Sequence, residues 1–294
     1  MLLLIGGLLR AHAQDCPVYD DSGAHLPYSS CGEQSLGTAP VSVEAMVEVV
    51  RNPSSATLLI RILEHGQRVE CYACVPPLES LLLSSSNPEV RRISAWWLRQ
   101  RTFAVGAVFT RLQATLVSSD DPVRRARAAE ALGELMHADA LDPLCQAAQS
   151  DVDADVRRAA VLALGRLNHP LGSSSIAEAL LDESVIVRRA AIVAAIRVRG
   201  FRECGALISA LGDGDPEVRM RAGRLIGEYA CDEAVDALAS VLDSQGSTEV
   251  GMAVAYSLGR LAARDVAGAR SALSSYSGSD VRVQNAVDMA LRMR

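Results

Sequence analysis

The feature that most constrains this chain is a repeat. Seven segments align: "NPEVRRISAWWLRQR" (87–101), "DPVRRARAAEALGEL" (121–135), "DADVRRAAVLALGRL" (153–167), "SVIVRRAAIVAAIRV" (184–198), "DPEVRMRAGRLIGEY" (215–229), "STEVGMAVAYSLGRL" (247–261) and "DVRVQNAVDMALRMR" (280–294). Their first residues are Asn87, Asp121, Asp153, Ser184, Asp215, Ser247 and Asp280, spaced 31 to 34 residues apart. So short and regular a period implies stacked supersecondary units rather than one closed core. Each first residue carries a side chain that accepts from the free N–H groups at a helix start. Pro88, Pro122 and Pro216 follow directly, at the position where a missing N–H costs nothing. In the third copy Val156, Ala159, Ala160, Ala163, Leu164 and Leu167 fall on one face of a helix. A shorter apolar stretch precedes each long one, as at 174–182, 203–213 and 232–243. Neither helix of such a pair buries its apolar face alone, so the repeats must stack. The expected fold is all-α, an α-solenoid of seven or eight helix-turn-helix repeats. A degenerate first repeat is expected over 42–65, with Pro53 between its helices.

The core Asp215-Pro216-Glu217-Val218-Arg219, with Ala-Leu-Gly as at Ala163-Leu164-Gly165, resembles HEAT repeats. It is similar in particular to the short HEAT-like class first named for phycobilisome lyases. The resemblance covers about residues 76–294 and speaks to fold far more than to function. It implies a concave face lined by the second helices and a ladder of Asp and Arg along the turns. The residues of that ladder are Asp121 and Arg125, Asp153 and Arg157, Asp215 and Arg219, each pair also at the i,i+4 spacing that stabilises a helix. Gly251 and Gln284 replace the arginine in the last two copies, so the ladder should fade toward the C-terminus.

The resemblance also carries an enzymatic alternative. HEAT-like oxidoreductases such as deoxyhypusine hydroxylase hold two irons with His-Glu pairs, and the lyases handle bilins. None of the five histidines here is followed by Glu. His137 and His169 occupy matching turns, where a solvent-exposed role is the simpler reading. No phosphate loop, dinucleotide fingerprint or nucleophile elbow occurs. No catalytic residue, metal or cofactor is assigned, and the chain is expected not to be an enzyme. A formal net charge of −6 argues against nucleic acid as a partner.

A protein partner is the remaining expectation. Two positions flanking the buried stripe are apolar in several copies: Ala95 and Trp96, Val161 and Leu162, Ile192 and Val193, Ala255 and Tyr256. They either pack against neighbouring helices or form an apolar docking stripe on the concave face, with Trp96, Leu162, Val193 and Tyr256 as its contacts. Trp97 fits the buried stripe.

Residues 1–9 are apolar and Ala11-His12-Ala13 is an A-x-A pattern, so 1–13 reads as a signal peptide. No basic residue precedes the apolar run, and an upstream start of translation is expected. The mature chain is expected to be exported, periplasmic or extracellular, with no membrane insertion. Residues 14–41 are an irregular cysteine-containing segment, 42–75 the degenerate repeat and its Cys-x-x-Cys loop, and 76–294 the repeat stack. Of seven cysteines, Cys16, Cys31, Cys71 and Cys74 cluster before the regular repeats. In an oxidising compartment two disulfides among these four would pin an N-terminal cap over the end of the stack. Cys16–Cys31 with Cys71–Cys74 is the favoured pairing, crossed pairings remain open, and zinc or redox roles are the alternatives. Cys145, Cys204 and Cys231 read as free, buried thiols.

Overall fold

The computed structural model describes residues 42–244 and 246–293, with the backbone of two short strands, β1 (Val18–Tyr19) and β2 (His25–Leu26), paired antiparallel. The expected signal peptide, most of the irregular segment and the Cys16–Cys31 pairing lie outside the described residues. The chain forms two compact units, Met1–Ser118 and Ser119–Arg294. Both are built from helix pairs.

The first unit holds α1 (Val43–Arg51), α2 (Ala56–His65), α3 (Val75–Ser84), α4 (Pro88–Arg99) and α5 (Val105–Ser118). Pro53 falls between α1 and α2, and the hydroxyls of Ser42 and Ser55 accept from Ala45 N and Leu58 N to cap them. Trp97 is fully buried, and its Nε1 donates to the Gly66 carbonyl at 3.3 Å. Arg101 stacks 4.0 Å over the Trp97 ring and donates to the carbonyls of Gly66 and Gln67. These bonds anchor the segment that leads to Cys71. The Cys71–Cys74 disulfide closes a 3-10 turn (Tyr72–Cys74) directly before α3, and both cysteines are fully buried.

The second unit alternates short and long helices. The short ones are α7 (Leu141–Ser150), α9 (Ser173–Ala179), α11 (Cys204–Ala210), α13 (Val235–Asp243) and α15 (Ala269–Ser275). The long ones are α6 (Pro122–Leu135), α8 (Ala154–Leu167), α10 (Val185–Arg197), α12 (Pro216–Tyr229), α14 (Thr248–Ala262) and α16 (Val281–Leu291). Asp121, Asp153, Asp215 and Asp280 accept from the first free N–H groups of their helices. Ser184 and Ser247 stand at the same position without a side-chain cap bond. After α6, α8 and α12 the chain reverses through a left-handed residue, Met136, Asn168 or Ala230. His137 and His169 follow the first two, and their Nδ1 atoms accept from Asp139 N and Leu171 N, so these histidines cap 3-10 turns.

Successive long helices touch at glycines. A Cβ added at Gly133 would lie 2.8 Å from Ala163 Cα, and one at Gly165 would lie 2.8 Å from Ala194 Cα. Gly227 meets Ser257 and Gly259 meets Ala290 just as closely. The Ala-Leu-Gly motif is thus a packing device: the missing side chain lets one helix rest on the backbone of the next.

Candidate docking groove

The arginines of the repeats make the first regular feature. Arg125 grips Asp151 with Nε and Nη2 at 2.8 and 2.9 Å, Arg157 grips Asp182 at 2.8 and 3.0 Å, and Arg188 grips Asp213 at 2.6 and 3.0 Å. The remaining Nη1 of each bonds a backbone carbonyl in its own turn, Ser119, Asp151 or Asp182. Each carboxylate also accepts from the N–H of the following cap residue, Asp153, Ser184 or Asp215. The i,i+4 pairing expected from sequence is therefore corrected. Asp121, Asp153 and Asp215 are occupied in capping their own helices, and the arginines reach to an aspartate two residues before the next cap. Asp215 in addition takes Arg189 at 2.6 Å. Burial alone would raise Asp151, Asp182 and Asp213, but the guanidinium and backbone N–H bonds outweigh it and hold all three below the ordinary carboxylate range. Arg219 has no carboxylate partner among the described residues and donates to the Asp213 carbonyl at 2.5 Å, so the ladder ends there. Its bonds are internal to the turns, which makes it structural rather than an anion site.

The groove lies elsewhere, across α10, α12 and α14. It has a volume of about 740 Å³. Ile196, Met220, Leu225, Met252 and Tyr256 supply its apolar lining. Ile196 and Met252 are 48% and 42% exposed, high for side chains with nothing polar to offer water. Glu249 also lines the groove, with Arg282 4.0 Å away, and the other charges around it are closely paired. Arg221 pairs with Glu217 at 2.8 Å, Arg224 pairs with Glu228 at 3.0 Å, and Arg260 donates to the Tyr256 hydroxyl at 3.0 Å. The result is an apolar trough with a neutralised rim.

Of the four contacts expected from sequence, Tyr256 lines this groove. Leu162 and Val193 are half-buried on α8 and α10 and are not among its lining residues, and Trp96 belongs to the first unit. The two flanking positions also separate. Ala95, Val161, Ile192 and Ala255 are buried, while Trp96, Leu162, Val193 and Tyr256 are half-exposed. Met220 and Met252 were legible in principle, since they stand where earlier copies carry Arg92, Arg158 and Arg189.

The cysteines require a second correction. Cys204 and Cys231 are not free thiols but form a disulfide with Cα atoms 5.6 Å apart. The stacking of one repeat on the next brings the start of α11 beside the turn after α12. Cys145 is free and half-buried. Among the described residues no cluster of His, Cys, Asp and Glu is arranged to hold a metal, and no helix is long and apolar enough to cross a membrane.

A family model described as HEAT repeats matches residues 109–197 and 205–292. No curated protein matches the chain by sequence. Among solved structures, Escherichia coli YibA is 18% identical, with a TM-score of 0.54 over 86% of this chain and 93% of that one. A structure of Kap95p with RanGDP is 13% identical, with a TM-score of 0.57 over 86% of this chain and 41% of that one. Human deoxyhypusine hydroxylase in complex with glycerol is 22% identical over 85% and 95% of the two chains, with a TM-score of 0.37. At these identities the likeness to YibA and Kap95p is one of fold.

Proposed function

We propose that this chain, which belongs to the HEAT-repeat family, is a non-catalytic scaffold or adaptor that binds another protein through the groove of α10, α12 and α14. The observation that carries the reading is the exposed apolar trough with an internally paired rim. An occupant rich in charge would have to break Arg221–Glu217 or Arg224–Glu228. An uncharged apolar segment, helical or extended, buries Ile196, Met252 and Tyr256 at no such cost. Methionine suits this use, because its unbranched, polarisable side chain adapts to the shape placed on it. The fold likeness to Kap95p, which its structure shows with RanGDP, fits a binding role without identifying a partner.

Export to an oxidising compartment completes the proposal. Two disulfides in the described residues are in keeping with it. The intact mass of protein recovered from such a compartment tests it: cleavage after Ala13 supports export, and an uncleaved chain with seven thiols overturns it.

Docking is tested by selecting peptides from a displayed library on the full-length chain. Apolar, uncharged peptides should be enriched, should lose binding to Met252→Glu, and should keep it toward Val152→Glu, a control at a 91% exposed site outside the groove. Equal binding to both variants would refute the site. The enzymatic alternative would be revived by stoichiometric iron in the purified protein.

A further inference from the structure

Of the five seams between successive long helices in the second unit, four close on a glycine: Gly133 on Ala163, Gly165 on Ala194, Gly227 on Ser257 and Gly259 on Ala290. The fifth, between α10 and α12, does not. Twelve residues after its cap, where the others have glycine, α10 has Ile196. The residue that faces it by the same register is Leu225. Two branched side chains stand where a hydrogen and a small side chain stand elsewhere. The helices cannot approach as closely, and this seam is the least extensive of the five. The connection is irregular as well. The left-handed residue and 3-10 turn that follow α6, α8 and α12 are replaced by a loop, 198–203, with Gly200 at φ +83°.

Other groups hold this joint. Phe201 from the loop is fully buried, with its ring centroid 5.9 Å from that of Tyr229. The Tyr229 hydroxyl donates to the Ala195 carbonyl at 2.7 Å, tying the end of α12 to the end of α10. Cys204–Cys231 then links the start of α11 covalently to the turn after α12. Ile196 and Leu225 also line the groove, so the width of the joint is part of the width of the groove.

We propose that the Cys204–Cys231 disulfide is a redox latch on this joint, which fixes the shape of the groove until a dithiol reduces it. One thiolate of the dithiol attacks a sulfur of the pair, and the S–S bond breaks with its electrons leaving on the other sulfur. The second thiol then closes on the mixed disulfide. Two electrons and two protons end on Cys204 and Cys231, and the reductant leaves as a disulfide. The two disulfides differ in access. Cys71, Cys74 and Cys231 are fully buried, whereas Cys204 is half-exposed beside Gly205, which has open space around it, so a reductant reaches this pair from the Cys204 side. With the latch open, the repeats on either side of the joint shift against each other and the groove loses its fixed width. The effect on binding rests on the docking role proposed above; the joint does not.

The test is hydrogen exchange on the full-length protein, oxidised and after dithiothreitol, with a thiol count on each sample. Cys204→Ser/Cys231→Ser serves as the permanently open form, and Cys71→Ser/Cys74→Ser as the control. Reduction should release two thiols first and speed exchange on the order of ten-fold more in 195–231 than in the rest of the second unit. The serine pair should reproduce that pattern without reductant. Unchanged exchange in 195–231 after reduction would overturn the latch. So would a uniform increase across the unit, the mark of a simple staple, or a disulfide that resists the dithiol in the folded protein. Peptide binding plays no part in this readout, so failure of the docking site and failure of the latch are separately visible.

Discussion

Replacing Gly165 with alanine tests whether the repeats are spaced by backbone-to-backbone contact. An added Cβ would sit 2.8 Å from Ala194 Cα and 2.9 Å from Ala194 Cβ. Carbon atoms are comfortable at roughly 3.5–4.0 Å, so α8 and α10 would have to part by about 1 Å. Overpacking of that kind costs about 1–3 kcal/mol. Against it stands the preference of a helix interior for alanine over glycine, about 1 kcal/mol. The net expectation is a loss of up to about 2 kcal/mol, the difference of those two figures. Gly205 in α11 provides the control, because an added Cβ there meets nothing within 4 Å. Gly205→Ala should instead stabilise by about 0.4–1 kcal/mol through the unfolded chain. Urea unfolding followed by circular dichroism should therefore move the two midpoints in opposite directions. A midpoint that rises for Gly165→Ala as it does for Gly205→Ala would refute the packing argument.

Arg157→Ala should cost about 1–3 kcal/mol in the same assay, because it leaves Asp182, whose side chain is 10% exposed, with only the Ser184 N–H as partner among the described residues. Folded-state pKa values of Asp151, Asp182 and Asp213 lie below their unfolded values, so their contribution is complete above roughly pH 4 and is lost as pH falls through the depressed values. Acid titration of Arg157→Ala should accordingly show a weaker loss below pH 4 than the parent chain; identical acid profiles would contradict the ladder. Cys71→Ser/Cys74→Ser should lower the melting temperature of oxidised protein with little change in helix content, and an unchanged melting temperature would remove the staple. For Cys204→Ser/Cys231→Ser the chain-entropy relation over a separation of 27 residues gives a loss of about 3.5 kcal/mol, and a loss near zero would show the joint to be held by Phe201 and Tyr229 alone.

What could be read from the sequence was local. Caps, proline positions and apolar stripes act within one helix, so Asp153, Pro216 and the burial of Trp97 were all accessible without a structure. What escaped depends on the register between repeats. Arg157 has a carboxylate four residues before it, and spacing alone favours that partner. Only stacking brings Asp182 closer and leaves Asp153 bonded to its own helix. Cys204 and Cys231 are far apart along the chain and meet because one repeat rests on the next. The groove arises where the glycine pattern lapses at Ile196 and where Met220 and Met252 replace arginines. Departures from a repeat were its signal, and attention to the repeat itself hides them.

The most direct test of the docking site uses methionine methyl groups as reporters. Full-length protein labelled at its methionine methyls would be titrated with an apolar peptide from the library selection, and each signal followed by NMR. Met220 and Met252 line the groove, whereas Met136 and Met289 are exposed outside it. Binding in the groove predicts saturable shifts for Met220 and Met252 with Met136 and Met289 unmoved. Shifts confined to Met136 or Met289, or a bound peptide that moves neither Met220 nor Met252, would contradict it.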